Sequence, residues 1–238
     1  MTRRAVRVTG TVQGVGFRPY VFGLATSLGL SGFVGNDAGG VFIELQGPST
    51  AIERFLSRLV AEAPPMAAVD AVTADELPVL VGESRFDIVA SAQTAGATSI
   101  PPDTAVCADC LRELRDPTDR RFGYAFIACT NCGPRYTITT GLPYDRVNTT
   151  MSAFELCPPC RREYEDPNSR RFHAQPTACA NCGPRLSMPV AEVVAALRGG
   201  LVVAIKGVGG YHLACDAEDS SATSALRNRK ARGATPFA

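Results

Sequence analysis

Eight of the nine cysteines fall into four C-x-x-C pairs: Cys107/Cys110, Cys129/Cys132, Cys157/Cys160 and Cys179/Cys182. Eighteen residues separate the first two pairs, 24 the middle two and 18 the last two. The flanking sequence repeats with them. C-A-D-C-L-R-E-L-R-D-P-T-D-R-R-F returns fifty residues later as C-P-P-C-R-R-E-Y-E-D-P-N-S-R-R-F. Each copy closes on N-C-G-P-R, at Asn131–Arg135 and Asn181–Arg185. Such a stretch is committed to two metal centres and a small duplicated module before any secondary structure is assigned. C-x-x-C followed after 15 to 20 residues by a second C-x-x-C is a zinc signature. Each pair supplies one edge of a tetrahedron, and four thiolates leave no position for water, so the sites are structural. Sequential pairing gives Cys107, Cys110, Cys129 and Cys132 for one ion and Cys157, Cys160, Cys179 and Cys182 for the other. Interleaved pairing is the alternative.

Disulfides are a rival reading. They call for a secretory signal, and although Met1-Thr-Arg-Arg is basic, no apolar stretch follows it. Iron–sulfur clusters use the same ligand type, but spacing and repetition favour zinc. Cys215 stands alone and reads as a small buried hydrophobe, with nothing nearby to activate it as a nucleophile. The formal charge is +1. Eight thiolates and two divalent ions add a net four negative charges, which makes it −3. Arg112, Arg115, Arg120, Arg121, Arg161, Arg162, Arg170 and Arg171 therefore offset the thiolates, which weakens a nucleic-acid reading based on arginine count.

The 238 residues divide by pattern. Residues 1–90 alternate strand and helix signals. Ser91–Pro102 is small, polar and ends in two prolines, and reads as a linker. The cysteine module spans 103–186. Residues 187–238 begin with a helix-like stretch, Val190–Leu197, and an apolar run, Leu201–Ile205. So short a segment cannot readily bury its own core, so it is expected to be the truncated start of a larger domain. No apolar run approaches ~18 residues, so no transmembrane helix is expected, and a cytoplasmic location follows as the default.

In the first region Val6 and Val8 alternate with Arg7 and Thr9, a strand signal. Gly14-Val15-Gly16 forms a tight turn, and Pro19 suits the first turn of a helix. Tyr20, Leu24 and Leu28 share one face of that helix, and Gly29 lies just beyond it. Gly32–Asn36 and Val41–Gln46 read as strands joined through Asp37, Gly39 and Gly40. Ile52, Phe55, Leu56 and Leu59 mark a second helix. Phe86, Ile88 and Val89 suggest the closing strand. The order βαββαβ is the ferredoxin-like α+β sandwich. A glycine loop entering a helix is a ready anion cradle, because backbone N–H groups and the helix dipole both favour negative charge. Arg18 at its mouth can grip two phosphate oxygens. G-V-G-G at Gly207–Gly210 misses the dinucleotide-binding spacing.

The string T-G-T-V-Q-G-V-G-F-R, the segment L-G-L-S-G-F-V-G-N and the strand G-V-F-I-E-L-Q-G resemble the acylphosphatases across the whole first region. The resemblance implies that the N–H groups of Gln13, Gly14, Val15, Gly16, Phe17 and Arg18 bind phosphate with the Arg18 side chain. It also implies that Asn36 holds the attacking water. An acyl phosphate carries a good leaving group, so positioning and charge stabilisation suffice, in keeping with a first region that has no histidine.

Acylphosphatase region, proline-bearing linker and doubled cysteine module together resemble the HypF-type carbamoyltransferases of nickel–iron hydrogenase maturation. Further matching segments are R-Y-T-I-T (Arg135–Thr139), P-Y-D-R (Pro143–Arg146), N-T-T-M (Asn148–Met151), R-R-F-H-A-Q-P (Arg170–Pro176), K-G-V-G-G-Y-H-L-A-C-D-A (Lys206–Ala217) and L-R-N-R-K-A-R (Leu226–Arg232). The resemblance implies cleavage of carbamoyl phosphate, conversion of the carbamate by a YrdC-like domain with ATP and Mg²⁺, and transfer to the C-terminal cysteine of a HypE-type partner for cyanide ligand synthesis. It places Lys206, Lys230 and Arg232 at the ATP and carbamate site. It also implies that Thr235 stands where the family usually has lysine. The transferase domain and most of the YrdC-like domain are not in this sequence, so the chain is expected at most to hydrolyse acyl phosphates. A nucleic-acid-binding zinc protein and a silent scaffold are the alternatives. His173 occupies the place of Gly123 in the repeat, so a metal role would break the symmetry, and it reads as a residue for packing or for an interdomain hydrogen bond.

Overall fold

The computed structural model describes residues 1–92 and 99–237. The middle of the expected linker, 93–98, lies outside them, as does Ala238. The described chain forms two compact units, Met1–Pro184 and Arg185–Ala238. The first region and the cysteine module thus pack together as one body.

A five-stranded sheet of order β4-β1-β3-β2-β5 organises the first region. It comprises β1 (Thr2–Thr11), β2 (Ser31–Asp37), β3 (Gly40–Gly47), β4 (Ala68–Leu77) and β5 (Phe86–Ile88), with helices α1 (Phe17–Ser27) and α2 (Ser49–Ala61). Inward-pointing Val6, Val8, Val34, Val41, Ile43 and Leu45 meet Val21, Leu24, Ile52, Phe55 and Leu59 of the helices in one core. The strand period and the helical apolar spacing point these side chains to one layer. Gly32 (φ 130°) is required where β2 meets β3, because a Cβ there would lie 2.0 Å from the Glu44 carbonyl oxygen.

One expectation is corrected. The strand that completes βαββαβ is β4, which pairs antiparallel with β1. The Phe86–Ile88 segment is a fifth strand, running parallel to β2 at the opposite edge. A-V-D-A-V-T-A-D-E-L hides β4 because its alanines and acids are poor strand formers. As an edge strand it also buries little of either face.

The cysteine module uses little regular structure. Helices α3 (Ala108–Arg115) and α4 (Pro158–Glu165) begin immediately after Cys107 and Cys157. The remainder is turns, short 3₁₀ segments and isolated bridges such as Cys129 with Cys132. The second unit holds α5 (Val190–Arg198), the antiparallel hairpin β6 (Val203–Gly207) with β7 (Gly210–Ala214), and α6 (Ser220–Lys230). Asp219 caps α6, its carboxylate accepting from the Ser221 and Ala222 amides. Among the described residues no helix is long and apolar enough to cross a membrane.

Candidate functional site: a glycine loop under a metal-binding module

The eight paired cysteines form two clusters in sequential pairing, with the four sulfurs of each within 4.8 Å of one another. Sγ–Sγ separations are 3.7 Å for Cys107–Cys129, 3.8 Å for Cys129–Cys132, 3.8 Å for Cys157–Cys179 and 3.8 Å for Cys179–Cys182. A tetrahedron with Zn–S bonds of about 2.3 Å has edges of about 3.8 Å, whereas a disulfide needs about 2.05 Å. The sulfurs therefore fit a tetrahedral metal, and all nine cysteines are free of disulfides. Each first C-x-x-C pair lies at a helix N-terminus, where peptide dipoles favour thiolates.

The arginines after each repeat's helix serve the opposite cluster. Arg120 donates to Cys160 Sγ at 3.1 Å, and Arg170 to Cys110 Sγ at 3.2 Å. Arg121 Nε donates to the Ala178 carbonyl at 2.9 Å, and Arg171 Nε to the Ala128 carbonyl at 3.2 Å. Glu163 pairs with Arg120 and Arg121, and Glu113 with Arg170 and Arg171. Burial opposes ionisation of Glu163, but the bonds from Arg121 and Arg120 outweigh it and hold the carboxyl at about 2. Burial likewise opposes ionisation of Glu113, which the Arg171 and Arg170 bonds hold below its ordinary value. These four arginines are engaged within the module by carboxylates, thiolates and backbone carbonyls.

The glycine loop lies between β1 and α1. Gly14 (φ 72°) and Gly16 (φ 78°) take the left-handed conformation that only glycine adopts freely, and Gly16 is the N-cap of α1. The side chains of Val15 and Phe17 are buried in the core, which leaves backbone amides and the Arg18 side chain to meet a ligand. Gln13 turns inward, donating to the carbonyls of Asp37 (2.6 Å) and Gly40 (3.0 Å). A cavity of about 20 Å³ is lined by Gln13, Gly14, Gly16, Phe17, Arg18 and Asn36; Val15 does not reach it. Asn36, 1% exposed, presents a side-chain oxygen with no hydrogen-bond partner. A buried orphan acceptor beside room for a water-sized molecule suits a bound water.

The cavity has a second wall, supplied by the module: Thr130, Arg135, Tyr144, His173 and Gln175. The Arg135 guanidinium, 1% exposed, donates to the Gly14 carbonyl and to the carbonyls of Cys129 (3.0 Å), Thr130 (2.8 Å) and Cys132 (3.1 Å). One side chain therefore joins the first metal knuckle to the anion loop. The Tyr144 amide donates to Gln13 Oε1 at 2.8 Å, and Arg18 pairs with Asp145 at 2.6 Å. His173 packs against Tyr164 and Phe172. Burial, followed by the Arg18 charge, lowers its pKa to about 4 against a weaker opposing pull from Asp145. Arg135, Tyr144 and Asp145 were not marked as site residues by sequence reasoning. Their only signal was membership of the N-C-G-P-R and P-Y-D-R segments.

In the second unit, Lys230 and Arg232 share a cavity of about 470 Å³ with Tyr211, His212, Cys215 and Phe237. Lys206 lies on β6 and does not line it. The Arg227 guanidinium stacks over the Phe237 ring at 4.7 Å.

Comparison with known proteins follows this architecture. The acylphosphatase family model matches residues 4–88, the HypF finger model matches 106–139 and 156–188, and the Sua5–YciO–YrdC model, described as telomere recombination, matches 195–238. The carbamoyltransferase HypF of Rhizobium leguminosarum bv. viciae is 56% identical over 236 residues, which cover 99% of this chain and 31% of that protein. The acylphosphatase of Thermotoga petrophila is 49% identical over 72 residues, 30% of this chain and 79% of that protein. A crystal structure of full-length HypF in a phosphate- and nucleotide-bound form superposes with a TM-score of 0.92 at 44% identity, covering all of this chain and 32% of that one. The chain thus spans about a third of the length of these HypF proteins. With an acylphosphatase region, paired HypF fingers and the opening of a YrdC-type domain in that order, the chain belongs to the HypF carbamoyltransferase family and corresponds to its N-terminal region.

Proposed function

We propose that this chain carries the acyl-phosphate-cleaving step of a hydrogenase-maturation carbamoyltransferase, with carbamoyl phosphate as substrate. The amides of residues 13–18 and the Arg18 guanidinium hold the phosphoryl group. A water accepted by the Asn36 side-chain oxygen attacks phosphorus, and carbamate leaves with the electrons of the broken P–O bond. Charge stabilisation by backbone N–H groups and arginine is the main catalytic contribution. The single observation that carries this reading is the orphan Asn36 oxygen facing the same cavity as the glycine loop and Arg18. Two zinc ions, held by the eight paired cysteines, fix the module against that loop, and a reducing cytoplasm keeps their thiolates competent. In a protein of its relatives' length, ATP with Mg²⁺ would activate carbamate near Lys230 and Arg232, with Lys206 a weaker candidate. A HypE-type protein would then receive the carbamoyl group.

The test is phosphate release from carbamoyl phosphate and from acetyl phosphate by the zinc-loaded chain. Release that falls at least about a hundredfold in Arg18→Ala, with the fold retained, is the expected outcome. Equal release by the variant removes Arg18 from the mechanism. No release from folded chain assigns this region a scaffolding role.

A further inference from the structure

The P-Y-D-R segment (Pro143–Arg146) lies between the two stretches that the HypF finger model matches and has no part in the chemistry above. Its position is specific. Arg146 anchors it to the second repeat through the carbonyls of Gln175 (2.6 Å) and Thr177 (2.9 Å), and to the segment just before that repeat through the Phe154 carbonyl (2.7 Å). Tyr144 holds it to Gln13. Between these anchors Asp145 extends one carboxylate oxygen to Arg18, 127 residues away in sequence. The pair is largely dry, with the Arg18 side chain 9% exposed and Asp145 20%. The same Arg18 nitrogen also reaches the Tyr144 carbonyl at 3.4 Å, and the other terminal nitrogen reaches Ser91 Oγ at 3.3 Å. Arginine recognises carboxylate and phosphate oxygens by the same charge-assisted geometry. The remaining cavity, about 20 Å³, has room for about one water while Asp145 holds Arg18.

We propose that Asp145 is the resident occupant of the oxyanion seat: an acyl phosphate must displace its carboxylate from Arg18, so the finger module sets the affinity and access of the phosphate site. The inference rests on the reading of Arg18 as the phosphate-binding side chain. Displacement lowers the affinity for substrate and product alike. The returning carboxylate then expels inorganic phosphate after cleavage, because both compete for one guanidinium. A rival role for Asp145, holding Arg18 in place for the phosphate, predicts the opposite effect of its removal, and this makes the two separable.

The probe is inorganic phosphate, titrated calorimetrically into the zinc-loaded chain, with zinc content and thermal unfolding confirming each variant. Asp145→Asn keeps the shape and removes the charge. It is expected to tighten phosphate binding about tenfold, the scale of one partly buried ion pair, and to lower KM for acetyl phosphate in parallel, with Asp145→Ala doing the same. Unchanged or weaker phosphate binding in both variants overturns the proposal. A second measurement needs no variant. In the unaltered chain, saturating phosphate should speed hydrogen exchange at the Tyr144 amide, bonded to Gln13, and at the Asn148 amide, bonded to the Asp145 carbonyl at 2.8 Å. Phosphate binding that leaves both amides unchanged also overturns it. Tighter binding by Asp145→Asn without any turnover would sink the hydrolase reading and leave this one standing.

Discussion

The two halves of the finger module are one design used twice, and they part only where the anion loop begins. Within the metal-binding part, fifty residues separate equivalent atoms and the contacts match. Arg120 and Arg170 each reach a cysteine of the other half, and Glu163 and Glu113 each hold the other half's arginine pair. Gly123 and Phe122 of one half stand where His173 and Phe172 stand in the other, and the Gly123 and His173 amides donate to Leu114 and Tyr164 at 2.9 Å alike. The likeness of sequence ends with N-C-G-P-R, at Arg135 and Arg185. Arg135, Tyr144 and Asp145 of the first half each contact the glycine loop or Arg18. The second half contributes His173 and Gln175 to the cavity wall instead. Symmetry therefore marks what the metals need, and asymmetry marks where the module meets the chemistry.

The largest effect should come from breaking one metal site at a time. Cys129→Ser and Cys179→Ser each remove one thiolate of four, and structural zinc sites contribute apparent binding energies of about 10–16 kcal/mol in small modules. Sequential clusters predict that each variant retains one zinc per chain by elemental analysis. Cys129→Ser should also cut phosphate release more than Cys179→Ser, because the Cys129 carbonyl is held by the guanidinium that reaches Gly14. Loss of both ions from either variant would show that the crossed arginines bind the sites into one cooperative unit. Equal losses of activity would remove Arg135 as the link.

The glutamates offer a finer comparison. Glu163→Gln and Glu113→Gln each strip the charge from a carboxylate between two arginines. Removing one partner of a fully buried pair costs about 3–5 kcal/mol. These carboxylates are 29% and 20% exposed, so roughly 1–3 kcal/mol is expected from each. Denaturant unfolding of the two variants should give equal losses, as the near-symmetry requires. Unequal losses would place the stability of the module in one half. The pH dependence has a definite sign. Both carboxyls have folded pKa values below the unfolded range. Their contribution is therefore complete above about pH 4.3 and is lost as pH falls, for Glu163 through about 2.

The comparison also explains what could be read in the sequence. The metal ligands were legible because C-x-x-C spacing is local chemistry and the chain states it twice. The glycine loop at 13–18 and the two helices were legible for a similar reason: each is a local pattern of glycine, charge or period, whereas Asn36 entered only through the acylphosphatase resemblance. β4 was not, since Ala68–Leu77 gains strand status only by pairing with β1, and nothing in its own composition requires it. The second wall of the cavity was not legible either. Tyr144 meets Gln13 across 131 residues and Arg135 meets Gly14 across 121. No periodicity reports a contact at that separation. Lys206 lies on β6, outside the cavity that Lys230 and Arg232 share, and its place at an ATP and carbamate site rests on the resemblance alone.

The smallest test exchanges a residue that differs between the repeats at a left-handed position. Gly123 has φ 66° and His173 has φ 51°, so both halves ask for a left-handed residue and only the first supplies glycine. A histidine there carries a backbone cost of about 1 kcal/mol. Its ring contacts with Tyr164 and Phe172, at centroid distances of 5.1 and 4.6 Å, return a similar amount. Glycine also costs about 0.5–1 kcal/mol through the unfolded chain. His173→Gly should therefore shift stability at pH 7 by no more than about 1 kcal/mol. Its signature is the pH profile. Burial and Arg18 lower the His173 pKa from 6.5 to about 4, so the unfolded chain takes up a proton first. The neutral ring's contribution is full above about pH 6.5, declines below it and is gone below about 4. The variant should lose that slope between pH 6.5 and 4 and keep two zinc ions. An unchanged slope would mean that His173 meets solvent in both states and that the second half closes the cavity without it.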